Sequence, residues 1–161
     1  YISMVNKAEK YCWFMTPYLI ITDEMSHALC LAAKRGVDVR IITPGIPDKK
    51  MIYNITRSFY HGLVKHGVCI YEWTPGFCHA KISVADDCMA TCGTINLDYR
   101  SLYHHFENGC FMADCQAVLD IRNDLAATMD ECREVTEQYS TGRSAYLRLG
   151  QLFMRLFAGL L

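Results

Sequence analysis

The residues whose types and spacing can do chemistry lie together between positions 79 and 96. His79-Ala80-Lys81-Ile82-Ser83-Val84-Ala85-Asp86 is followed, after six residues, by Gly93-Thr94-Ile95-Asn96. From Lys81 to Val84 polar and apolar residues alternate, which predicts a strand with one buried face. That period sends His79, Lys81 and Ser83 to one side and Ala80, Ile82 and Val84 to the other. Asp86-Asp87 reads as a tight turn, and Cys88 to Cys92 as the return strand of a hairpin. Thr94 and Asn96 again share a face. An imidazole, an ammonium, a hydroxyl and a carboxamide therefore converge at one sheet edge. That set suits a phosphate: a nucleophile or acid, a fixed positive charge, and neutral donors for the equatorial oxygens. The even spacing makes His79 and Lys81 partly exposed neighbours, with Asn96 within reach of the same phosphate-sized site.

The elements that position this set are legible upstream. Ser3 to Lys10 reads as the end of a helix. Cys12 to Met15 is a short apolar strand stopped by Thr16-Pro17, because the residue before proline is held extended. Asp23 reads as the N-cap of a helix running to Arg35, with Glu24 in its first turn, Lys34 and Arg35 in its last, and Gly36 as terminator. Val37 to Thr43 is a strand. Asp48 opens a helix reaching His66, with Gly67 as its stop, and Val68 to Trp73 is a third strand. Strand, helix, strand, helix, strand is a parallel α/β pattern, to which the hairpin adds an antiparallel part. Downstream, Gly109 to Ala113 reads as a further strand. Asp114 reads as the cap of a helix from Cys115 to Met129, followed by a charged stretch from Asp130 to Glu137.

Length and composition bound the function. The 161 residues suffice for one domain with a real core. A net charge of −1 argues against non-specific nucleic-acid binding. Nine cysteines without a CxxC pair read as reduced, cytosolic and mostly core-filling, and the eight methionines as core filler. Cys78, Cys88 and Cys92 fit no zinc spacing, and Asp86-Asp87 suits a turn better than a metal. His27, His61 and His66 read as lying on solvated helix faces, and His104-His105 at a loop or strand start. There is no signal peptide or apolar run of transmembrane length. The opening at Tyr1 reads as the interior of a longer protein.

The spacing H-x-K-x4-D-x6-G-[ST]-x-N is that of the phospholipase D superfamily, and His79, Lys81, Asp86, Gly93, Thr94 and Asn96 fill every fixed place. Other segments resemble bacterial cardiolipin synthases: Thr16-Pro17-Tyr18, the run from Ala32 to Ile41, Ile70-Tyr71-Glu72-Trp73, Gly76-Phe77-Cys78-His79-Ala80-Lys81, and Asn96-Leu97-Asp98-Tyr99-Arg100-Ser101. The similarity extends over nearly the whole chain and matches the second of two catalytic halves. It implies an α-β-α sandwich with a mixed, mostly parallel sheet flanked by helices.

The resemblance further implies metal-free transfer of a phosphatidyl group between two phosphatidylglycerol molecules, with release of glycerol. His79 and Lys81 would be catalytic, with Thr94 and Asn96 on the non-bridging oxygens. Glu107 matches the position of a carboxylate that holds the histidine through its other ring nitrogen, fixing the tautomer. Asp86 lies five residues after Lys81, so alternation turns it away from the phosphate, and it is expected to brace the site from behind. The partners implied are anionic phospholipid, a membrane surface on the cytoplasmic face, and a second motif from the N-terminal half or from a second copy. A lone half would lack its acid–base partner. Two other readings share the motif: a homodimeric single-motif phosphodiesterase or nuclease, and a non-catalytic membrane-associated domain. Residues 1–140 read as the catalytic domain and 141–161 as a basic amphipathic helix. On that helix Leu149, Leu152, Phe153, Leu156, Phe157 and Leu160 share one face, which suits either packing on its own domain or lying in a membrane interface with Arg143, Arg148 and Arg155 at anionic headgroups.

Overall fold

A computed structural model describes residues 1–140; the amphipathic helix expected over 141–161 lies outside the described residues. In chain order the first half comprises α1 (Ile2–Lys7), β1 (Tyr11–Met15), β2 (Leu19–Ile20), α2 (Asp23–Lys34), β3 (Asp38–Pro44), α3 (Lys50–Val64) and β4 (Cys69–Trp73). The second comprises β5 (Ile82–Ala85), β6 (Met89–Gly93), β7 (Leu97–Asp98), a π-helical turn (Arg100–His104), β8 (Gly109–Ala113), α4 (Gln116–Asp130), β9 (Cys132–Glu134) and α5 (Thr136–Ser140).

Seven strands form one mixed sheet in the order β8-β6-β5-β1-β3-β4-β9. Its centre is parallel, with Phe14 opposite Ile41 and Ile41 opposite Ile70. The motif hairpin adds the antiparallel part on the other side of β1, where Met15 faces Ile82. Each face of the sheet has its own apolar core. On one, Met25, Leu29 and Ala32 of α2 and Ile55, Phe59 and Leu63 of α3 pack on Phe14, Val39, Ile41 and Ile70. On the other, Val118, Leu125 and Met129 of α4 cover Met15, Ile42, Val84 and Ala90. The helices earn these places by spacing: Met25, Ala28, Leu29 and Ala32 recur at helical period.

The helix boundaries differ from expectation at the caps. Thr22, not Asp23, caps α2, its hydroxyl accepting from the Met25 N–H at 3.2 Å. Helix α3 begins at Lys50 because the Asp48 carboxylate takes the Lys49 N–H at 2.6 Å and the Tyr18 hydroxyl instead. Asp114 has φ 49°, and Cys115 holds the cap position of α4. Gly36 and Gly67 do stop their helices, at φ 93° and 97°, a conformation that glycine adopts without strain.

Two pairings were not legible in the sequence. The short strands β2 and β7 pair in parallel, and the Leu97 N–H donates to Thr16 Oγ1 at 3.1 Å. The charged stretch after α4 contains β9, whose Arg133 reaches Glu72 on β4 at 2.6 Å. Glu72 is 0% exposed and also accepts from Arg57 at 2.9 Å. His61, expected on a solvated face, is half-buried and lies 2.8 Å from the Tyr139 carbonyl.

Candidate phosphate site

Strand β5 starts at Ile82, one residue later than the alternation predicts, but the ladder carries on: the Gly93 N–H donates to the Lys81 carbonyl at 3.2 Å. His79 approaches the strand from the preceding loop, with its ring 5.9 Å from that of Phe77. The Lys81 ammonium lies 3.0 Å from each ring nitrogen of His79 and 2.7 Å from its carbonyl. The two are neighbours as the even spacing requires. They are not equally accessible: His79 is exposed, whereas Lys81 is only 8% exposed. Burial lowers the Lys81 ammonium from its ordinary value, against the opposing pull of Cys78, Glu107 and Asp98.

These side chains border an open cavity of ≈ 350 Å³ whose walls include His79, Lys81, Cys92, Gly93, Thr94 and Asn96. Asn96 Oδ1 is buried and has no hydrogen-bond partner among the described residues. An amide atom left without a partner at a cavity wall calls for one, and a carboxamide turned over offers N–H donors to a phosphate oxygen. Ser83 takes no part. It is fully buried, bonded to the Thr91 hydroxyl at 2.6 Å and to Met4 Sδ at 3.5 Å, because within β5 its side chain turns into the core.

Thr94 and Glu107 are tied to each other. The Thr94 hydroxyl donates to Glu107 Oε2 and accepts the Asn108 N–H at 2.9 Å. That bond, with others from Ser101 and the nearby His105 and Lys81, holds the Glu107 carboxyl below its ordinary value despite desolvation. Expected to hold His79, Glu107 instead reaches the cavity wall through Thr94, while both ring nitrogens of His79 meet Lys81. Gly93 permits the close approach: a Cβ there would stand 2.4 Å from the Asn108 carbonyl.

Asp86 is not among the cavity residues. It and Asp87 take φ 52° and 60°, the left-handed pair of a tight hairpin turn. Its carboxylate accepts the N–H groups of Glu9, Lys10 and Tyr11 at 2.7, 2.9 and 2.8 Å. Burial acts to raise the carboxyl, but those bonds hold it below its ordinary value. The sequence did not point to Ser101, which is buried in the π turn with its N–H bonded to Asp98 at 2.7 Å. Among the described residues no three His, Cys, Asp or Glu side chains form a group able to hold a metal ion.

Residues 1–129 match the family described as cardiolipin synthase, PLD-like domain. The chain belongs to this family. It is 48% identical over its whole length to an uncharacterized protein of Streptococcus mutans, covering 35% of that protein. It is 34% identical over its whole length to a cardiolipin synthase of Halalkalibacterium halodurans, covering 32% of it. The phospholipase D family member Nuc from Salmonella typhimurium superposes with a TM-score of 0.72 at 17% identity, over 83% of this chain and 86% of that one. The fold of this PLD-like domain is thus the phospholipase D fold, and the chain spans about a third of the curated relatives it matches. Among its described residues no helix is long and apolar enough to cross a membrane.

Proposed function

We propose that this domain is one catalytic half of a cardiolipin synthase, working on phosphatidylglycerol at the cytoplasmic face of a membrane. The observation that carries the reading is the grouping of His79, Lys81, Thr94 and Asn96 around one cavity in a chain of this family. The reaction exchanges one phosphate ester for another in two displacements. A motif imidazole attacks phosphorus, the bond to the departing glycerol oxygen breaks, and a phosphatidyl-histidine results. A second imidazole protonates the leaving oxygen. It then takes the proton of the incoming hydroxyl as that oxygen attacks phosphorus and the P–N bond breaks. Imidazole suits both tasks because its unperturbed pKa, about 6.5, lies near working pH.

His79 supplies one of these imidazoles. The other comes from another part of a longer protein or from a second copy of the chain. Lys81 provides the positive charge for the non-bridging oxygens, and its burial lets that charge act with little solvent screening. Asn96 supplies a donor, and Glu107 fixes Thr94. Losing one preorganised donor of this kind costs about 3–4 kcal/mol of transition-state stabilisation. The test is to give phosphatidylglycerol vesicles to the longer protein containing this domain, to its His79→Asn variant, and to the 161-residue chain alone. Cardiolipin and glycerol should form in equal amounts with the first and not with the others. Turnover by a demonstrably monomeric chain, or unchanged turnover in the variant, would refute the reading.

A further inference from the structure

We propose that Cys92 and Cys110 are an oxidation site, a reversible disulfide pair that ties one wall residue of the phosphate cavity, Cys92, to the neighbouring strand. The pairing of β6 with β8 sets Cys92 directly opposite Cys110, on the same face of the sheet, and both residues are exposed. The Thr94 N–H donates to the Asn108 carbonyl, and Asp114 N–H to that of Cys88. Hydrogen-bonded rungs alternate along an antiparallel ladder, so the Cys92–Cys110 rung is also of this kind. Its Cα atoms then lie about 5.5 Å apart, within the roughly 4.4–6.8 Å that disulfides span. Across the ladders of the described residues no other cysteine faces a second cysteine. Cys12 and Cys78, by contrast, are buried.

Strand β8 lies at the edge of the sheet among the described residues, and both cysteines are exposed, so a small peroxide can reach them. One thiolate attacks the peroxide oxygen, breaking the O–O bond and giving a sulfenic acid and water. The second thiolate attacks that sulfur and expels a second water. Both sulfurs are oxidised and one peroxide is reduced. A dithiol reverses the step by exchange, and an exposed disulfide of this type is the labile kind. The location gives it consequence. Cys92 lines the cavity, and the next rung is Gly93–Gly109, from which Thr94 and Asn96 continue. Closing the bond therefore remodels the wall that holds the phosphate donors. None of this depends on the phosphatidyl chemistry proposed above.

The test maps the bond in the folded chain. The protein is treated with hydrogen peroxide, free thiols are alkylated, and the chain is cut with cyanogen bromide at Met89 and Met112, then with trypsin at Arg100. These cuts leave Cys92 and Cys110 as the only cysteines of two separate peptides. The expected result is that the two peptides stay joined, lighter by two hydrogens than their sum, and part on treatment with dithiothreitol. Cys92→Ser and Cys110→Ser should each abolish the joined species while circular dichroism stays unchanged. Recovery of both peptides alkylated, either cysteine joined to a different one, or joining only after the chain is unfolded in urea would each overturn the proposal. The wild-type map decides alone should a variant misfold.

Discussion

Asp86→Ala separates bracing from chemistry. The substitution frees three backbone N–H groups, of which those of Glu9 and Lys10 are exposed and find water, while that of Tyr11 is partly buried. Losing the charged acceptor of one such donor costs about 1.5–3 kcal/mol. Alanine must also adopt φ 52°, which costs about 1 kcal/mol more than for a residue at ease there. The sum is about 3 kcal/mol, or roughly 10 °C in the melting temperature of a chain this size. Asp86→Gly should recover the backbone part, about 1 kcal/mol. Asp86→Asn should keep one acceptor and fall between. The sign with pH follows from the depressed carboxyl. Its contribution is full above the unfolded value of about 3.9 and is lost as pH falls through the lower folded value. The stability gap between wild type and Asp86→Asn should therefore narrow in acid. The assays are thermal melts across pH and vanadate affinity by calorimetry below the transition. A variant that melts like wild type yet no longer binds vanadate would refute the bracing role and put Asp86 at the substrate.

Four further outcomes follow from the geometry. Vanadate should slow alkylation of Cys92, which lines the cavity, while leaving that of exposed Cys115 unchanged; equal rates for Cys92 with and without vanadate would place the anion elsewhere. Thr94→Ala removes the main influence holding the Glu107 carboxyl down, so carbon-detected NMR should find it titrating at higher pH, and no movement would count against the bond. Glu72→Ala leaves Arg57 without its buried counter-charge and should cost about 3–5 kcal/mol in urea denaturation. A loss under about 1 kcal/mol would mean that water replaces the carboxylate. Gly93→Ala places a Cβ 2.4 Å from the Asn108 carbonyl; the strands must part, costing about 1–3 kcal/mol and shifting the Thr94 and Asn108 amide resonances.

The sequence made the hairpin and its chemistry legible because period two is unambiguous there and the fixed residues are polar in an apolar surround. Parity turns Asp86 away from the phosphate face, and its carboxylate lies against the backbone of residues 9–11. The sequence could not show that Asp86 reaches residues 9–11, since a carboxylate's distant backbone donors leave no local pattern. Nor could it show that Ser83 is buried, because alternation gives the face but not whether a given stretch of that face is rim or core. Strand β9 was hidden because its charges read as solvated, whereas Arg133 answers the buried Glu72. Glu107 was found by position, yet the side chain it touches depends on how the π turn and β8 return the chain, and that is a tertiary fact.

The strand order has a consequence for how this protein comes into being. Strand β1, near the N-terminus, lies between β3 and the motif hairpin. Among the described strands its five residues join the parallel strands β3 and β4 to the hairpin that follows Lys81. Closing Met15 on Ile82 and Tyr11 on the Asp86 carboxylate, 75 residues away in sequence, closes a long loop, and its entropy is lost before those contacts form. Such non-local pairing makes folding slow. During synthesis β1 can settle beside β3 and β4 early, but its other edge stays open until the hairpin emerges. The phosphate site therefore takes shape after the parallel strands, and until the hairpin emerges that edge of β1 is unpaired.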